Sequence, residues 1–64
     1  MKTFTDNRLK KTYTTGKAVI DGKFPCEILR FVKVRTDRYE YTVVAECLFN
    51  GKKFFPIRTN RLTQ

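Results

Sequence analysis

Basic residues interleave with aromatics at two places in the chain. Lys33, Arg35, Arg38, Tyr39 and Tyr41 gather in one stretch, and Lys52, Lys53, Phe54 and Phe55 in another. Lysine and arginine neutralise phosphates, and aromatic rings stack on bases. Together they suit nucleic-acid binding with little sequence reading. The composition leans the same way: 14 Lys and Arg against 6 Asp and Glu give a net charge of +8 on 64 residues. Such a surplus either favours a polyanionic partner or only keeps the chain in solution. The partner expected is nucleic acid, DNA or RNA. An acidic protein surface is the alternative, because the same basic face serves either, and the aromatic excess at Phe54-Phe55 speaks for it.

Other chemistries find little support. There is no histidine, so the commonest general base and metal ligand is missing. The acids are Asp6, Asp21, Glu27, Asp37, Glu40 and Glu46. Asp21 and Asp37 sit in turn signals, where Asp serves the backbone. Glu27 and Glu46 can face each other across neighbouring strands, but an acid–base pair needs a pocket, for which so short a chain has little material. Cys26 and Cys47 are the two cysteines and form no CxxC; a zinc site needs more soft ligands. They read as small apolar core residues and free thiols. With a four-residue turn at Arg35–Arg38, Cys26 faces Cys47; with an odd-length turn the two are apart. No catalysis, no cofactor and no metal are expected.

Sixty-four residues build one small core. The cysteine usage fits a reduced, cytoplasmic protein. No apolar stretch approaches the ~20 residues of a membrane span, and the start Met1-Lys-Thr-Phe-Thr-Asp6 has no signal-peptide run. No membrane partner is expected. The state expected is a monomer or a weak dimer through an open edge near Pro25 or Pro56.

The elements that must hold these residues are strands. Tyr39, Tyr41, Val43, Ala45, Cys47 and Phe49 alternate with Glu40, Thr42 and Glu46, a period of two that marks a strand with one buried face. On this reading Tyr39 and Tyr41 belong to the packed row. Asn50-Gly51 follows, the strongest short hairpin signal, and Phe54, Phe55 and Ile57 return as the partner strand. Upstream, Lys17–Ile20 is a short strand closed by Asp21-Gly22. Lys23–Arg35 is a long one whose apolar residues occupy both faces, as in a bulged or bent strand. Pro25 belongs at a strand start or an edge, and Pro56 at an edge or where pairing ends.

Residues 1–15 form a basic N-terminal arm carrying Arg8, Lys10 and Lys11. Thr5 or Asp6 can cap one helical turn over Asn7–Lys11. Otherwise the arm is irregular and docks through Leu9 and Tyr13. In a meander, Arg58 and Arg61 return toward the end that holds Arg35 and Arg38. The expected binding residues are therefore Lys10, Lys11, Lys33, Arg35, Arg38, Arg58 and Arg61.

Gly16-Lys-Ala-Val-Ile20, the long bent strand, Tyr41-Thr-Val-Val-Ala45, Asn50-Gly-Lys-Lys53 and Arg58-Thr-Asn-Arg-Leu62 succeed one another in a rhythm that resembles the small SH3-like barrels of the KOW and Tudor families. The resemblance covers residues 16–64. It implies an all-β fold: a barrel of about five antiparallel strands, with at most a short helical turn near each terminus and a leucine after a single turn before the last strand. The Tudor aromatic cage for methylated side chains is not assembled here, and the positive charge disfavours a cationic ligand. KOW-type relatives bind RNA or the ribosomal and transcription machinery. The size and lysine richness also resemble small accessory proteins of bacteriophages that dock on host proteins.

Overall fold

The computed structural model describes residues 2–64 as an all-β domain. Seven strands run β1 Thr3–Asp6, β2 Lys11–Thr14, β3 Gly16–Ile20, β4 Phe24–Asp37, β5 Glu40–Phe49, β6 Lys52–Arg58 and β7 Leu62–Thr63, with one 3-10 turn at Thr59–Arg61. β1 and β2 pair as a two-stranded sheet. The other strands form one antiparallel sheet in the order β6-β5-β4-β3-β7. Its edges, β6 and β7, are not paired with each other among the described residues.

The turn signals act as their chemistry requires. Asn50 (φ 53°) and Gly51 (φ 77°) form a two-residue loop with Phe49 opposite Lys52, the doubly positive φ that twisted hairpins favour. Asp21 (φ 54°) and Gly22 (φ 68°) repeat the doubly positive φ in a three-residue loop, Asp21–Lys23, between the paired Ile20 and Phe24, closed by the Lys23 amide donating to the Ile20 carbonyl at 3.0 Å. Pro25 stands second in β4, at the strand start. Pro56 lies on edge strand β6, where the ladder breaks between the pairs Ala45–Ile57 and Cys47–Phe54.

The arm departs from expectation. It is a hairpin, not a helical turn or an irregular segment. Asp6 Oδ1 accepts the amides of Arg8 at 2.9 Å and Leu9 at 3.1 Å, so the carboxylate does cap, but it caps a four-residue turn between strands. The β-branched Thr3, Thr5, Thr12 and Thr14 suit extended backbone, and Thr3 pairs with Thr14, Thr5 with Thr12. Tyr13 docks, only 3% exposed, while Leu9 does not. Gln64 ties β2 down: its side-chain oxygen accepts the Thr14 amide at 2.8 Å and its nitrogen donates to the Thr14 carbonyl at 2.6 Å.

One core sits under both sheets, built from Tyr13, Ala18, Ile20, Ile28, Ala45, Cys47, Ile57 and Leu62, with Phe4, Cys26 and Phe31 packed at its margin. Ile28 is 1% exposed, and such burial stabilises by about 1.5–3 kcal/mol. Leu62 enters the core directly after the 3-10 turn. The long strand changes its buried face by a bulge: β4 has one extra residue, Leu29, between the pairs Ile28–Cys47 and Arg30–Glu46. Beyond it Phe31, opposite Ala45, turns toward the core.

Candidate nucleic-acid interface

The distal half of the β4–β5 hairpin outruns its neighbours. β3 pairs with β4 no further than Ile28, and β6 pairs with β5 no further than Val44. Residues 30–37 and 40–43 therefore continue as a two-stranded ribbon, ending in the loop Arg38-Tyr39 between the pair Asp37–Glu40. Thr36 is a second extra residue on β4. Because partners in a ladder share a face, Arg35 opposite Tyr41 and Lys33 opposite Val43 place two cations and an aromatic on one side. The Lys33 ammonium lies 5.3 Å over the Tyr41 ring. Arg35 donates to the carbonyls of Asp37 at 3.3 Å and Arg38 at 2.7 Å, which fixes its stem along the turn and leaves the rest of its five-donor fork free.

The ribbon corrects the expectation for the tyrosines. Tyr39 is 85% exposed and Tyr41 55%. Neither belongs to the packed row, which holds only for Ala45 and Cys47, because no neighbouring strand covers positions 39–42. Val44, from the other face, is buried as well.

Of the seven expected residues, Lys33, Arg35 and Arg38 share the ribbon, and Lys10 and Lys11 lie at the β1–β2 turn. Arg58, at the end of β6, reaches the same region: it lines a cleft of about 380 Å³ together with Arg8, Leu9, Tyr41, Thr42 and Asn60. Arg61 does not join them. Its guanidinium grips Asp21 at the β3–β4 turn, the other end of β4, with bonds of 3.0 and 2.7 Å to the two carboxylate oxygens. The 3-10 turn carries Arg61 away from Arg58 to the start of β7, which pairs with β3. That hydrogen bond holds the Asp21 carboxyl below its ordinary range and raises the Arg61 guanidinium.

Arg8 acquired a place that sequence reading gave it only as arm charge. The signal was present: Phe4 and Tyr13 face each other across a run of alternating threonines, and this hairpin carries Arg8 to the ribbon, with Phe4 against Phe31 at 5.8 Å between centroids.

The other candidate chemistries resolve differently. Glu46 does not face Glu27; it lies opposite Arg30 and pairs with it at 3.2 Å, while Glu27 faces Leu48. Arg30 also stands 5.9 Å over the Phe55 ring. Cys47 faces Ile28 rather than Cys26, because the hairpin turns at Arg38-Tyr39 and not over Arg35–Arg38; the extra residues Leu29 and Thr36 make up only part of that difference. The thiols still meet as diagonal neighbours: both are free, and burial pushes Cys47 up to about 12 and Cys26 upward. Such thiols are poor nucleophiles. Among the described residues no group of three or more His, Cys, Asp or Glu could hold a metal. No helix there is long and apolar enough to cross a membrane.

At the opposite end of the sheet, Phe24, Phe49 and Phe54 form an aromatic chain with centroids 5.6 and 6.2 Å apart, and Phe24, Phe54 and Phe55 are exposed. Lys23, Lys52 and Lys53 flank it in sequence.

No protein-family model, curated protein or solved structure matches the chain.

Proposed function

We propose that the protein is a non-enzymatic nucleic-acid-binding module of low sequence specificity, built as a small SH3-like barrel of the KOW kind and acting in the cytoplasm. The observation that carries this reading is the pair of exposed tyrosines on the cationic ribbon, where Lys33, Arg35 and Arg38 accompany Tyr39 and Tyr41. Exposed aromatics among cations are what base stacking and phosphate neutralisation require. The strand order β6-β5-β4-β3-β7 and the single 3-10 turn before a two-residue last strand support the SH3-like part. The free thiols suit a reducing compartment.

Affinity then comes mainly from phosphate contacts, with Lys10, Lys11, Lys33, Arg35, Arg38 and Arg58 as the cations and Arg61 retired to its pairing with Asp21. About four neutralised phosphates give a slope of log affinity against log salt near −3. Replacing Arg35 and Arg38 by alanine weakens binding alike for every sequence and flattens the slope by about 1.5. Full affinity in the double variant, or no binding to random oligonucleotides at low salt, overturns the reading.

A second reading has its own observation. The exposed phenylalanines around Phe24 and Phe54 suit a protein-docking surface, as for a phage accessory protein on a host partner. A pull-down from lysate separates the two: partners lost on nuclease treatment support the first, and a single protein that survives nuclease supports the second.

A further inference from the structure

We infer that the ligand is a single strand, and that the cleft between the β1–β2 turn and the open edge of β5 receives one of its unpaired nucleotides. The base lies against Tyr41, and its phosphate sits between Arg8 and Arg58. This rests on the nucleic-acid reading above and narrows it to one class of strand.

The cleft has the parts for it. Its volume of about 380 Å³ is within the range of small-ligand sites. Arg8 comes from the β1–β2 turn and Arg58 from the end of β6, so one anion bridges two elements distant in sequence. Neither guanidinium has a carboxylate within salt-bridge distance among the described residues. Two acids, Asp6 and Glu40, also line the cleft; Asp6 is taken up by the turn amides of Arg8 and Leu9. The floor is the β5 edge at residues 40–43, which has β4 on one side and no strand on the other, because β6 pairs only from Val44 onward. The N–H and C=O groups on that open side and the Thr42 hydroxyl can meet the polar edge of a base. Lys33 covers one face of the Tyr41 ring, and a base takes the other.

Duplex fits less well. A bare two-stranded ribbon can enter a major groove, but this one is not bare: the β1–β2 hairpin lies against it through Phe4 on Phe31. Within a duplex each base is already stacked on both faces, so Tyr39 and Tyr41 have nothing to stack on.

The test is fluorescence anisotropy with a labelled mixed-sequence oligonucleotide of about 12 nucleotides, inside the ~4–16 typical of small single-strand-binding barrels. It is presented alone, as DNA and as RNA, and annealed to its complement. At moderate salt the single strand binds about tenfold or more tighter than the duplex. Tyr41→Ala removes about tenfold of single-strand affinity and leaves the duplex unchanged, whereas Tyr41→Phe keeps the preference. Tyr41 is more exposed than buried, so both variants fold. Arg8→Ala with Arg58→Ala lowers single-strand affinity more than duplex affinity. If duplex and single strand bind alike and Tyr41→Ala changes neither, the cleft has no such role, while the basic-face reading stands as long as the Arg35/Arg38 variant weakens both. If neither form binds at low salt, both readings fall together.

Discussion

Tyr13 lies where the arm meets the core, and its two halves predict opposite effects of substitution. Its ring is 3% exposed and packs in the core, stacked 6.4 Å from Phe4. Its hydroxyl is buried with no hydrogen-bond partner among the described residues. A buried hydroxyl without a partner keeps the desolvation penalty of about 1–3 kcal/mol. Tyr13→Phe removes the hydroxyl and keeps the ring, so it stabilises by about 1 kcal/mol. For a domain this small that raises the melting temperature by about 4–8 °C. Tyr13→Ala removes the ring and leaves a cavity, which costs about 3–5 kcal/mol. A 64-residue chain has only about 3–10 kcal/mol in total, so the alanine variant is largely unfolded or loses its β1–β2 hairpin. Urea denaturation followed by circular dichroism measures both, with an unchanged m-value expected for the phenylalanine variant. If Tyr13→Phe lowers stability by more than ~0.5 kcal/mol, the hydroxyl has a partner, because removing a satisfied hydrogen bond costs about that much, and the packing argument for the arm is wrong.

Three further outcomes follow from the charges and thiols. Asp21 titrates below the ordinary carboxylate value of 3.8 because Arg61 holds it. A depressed carboxyl contributes stability above its unfolded pKa and loses it as pH falls through the folded one, so that contribution fades only below pH 3.8; in Arg61→Ala the Asp21 carbon resonance titrates at higher pH, and unchanged titration refutes the ion pair. The thiols show the opposite sense: Cys47 rises from 9.0 to about 12 through burial first and Cys26 second, so the neutral thiol is favoured by folding, and stability falls as pH climbs from about 9 toward 12. Iodoacetamide at neutral pH modifies half-buried Cys26 before buried Cys47. The reverse order, read by mass spectrometry of peptides, contradicts the placement.

What the sequence made legible was local. Asn50-Gly51 and Asp21-Gly22 announce their turns because positive φ is a property of those residues. The single turn at Thr59–Arg61 before Leu62 is where the resemblance to small barrels implied one. The positions that misled depend on where other strands stop. Tyr39 and Tyr41 have the alternation of packed residues, yet β6 ends its pairing at Val44 and leaves them in water. Arg61 has the spacing to join Arg58, yet its partner Asp21 lies 40 positions away, and no periodicity encodes that pairing. The cysteine pairing failed because the turn lies further along the chain, at Arg38-Tyr39 between Asp37 and Glu40, than the Arg35–Arg38 turn from which the ladder was counted; the residues added at Leu29 and Thr36 recover only part of the offset, so Ile28 stands opposite Cys47.

Those added residues connect the core to the proposed site. Without Leu29 as an extra residue, period two would put Phe31 on the face opposite Ile28, away from the core. Phe4 would then lose its contact at 5.8 Å, and the β1–β2 hairpin would be held by Tyr13 and the Gln64 bonds to Thr14, with nothing fixing its β1 side to the ribbon. With the hairpin adrift, Arg8 would leave the cleft and the β5 edge would lose its facing wall. The break on β6 acts in the same sense from the other side. An extra residue within Phe55-Pro56 lets Phe54 stay with Phe49 while Ile57 turns inward beside Ala45 and Arg58 outward beside Val44. A regular β6 could not satisfy both: keeping Phe54 beside Cys47 would point Ile57 outward and Arg58 into the core, where an unpaired guanidinium is costly to bury. The irregular positions in this sheet are thus the ones that aim cations at the cleft while its apolar residues close the core.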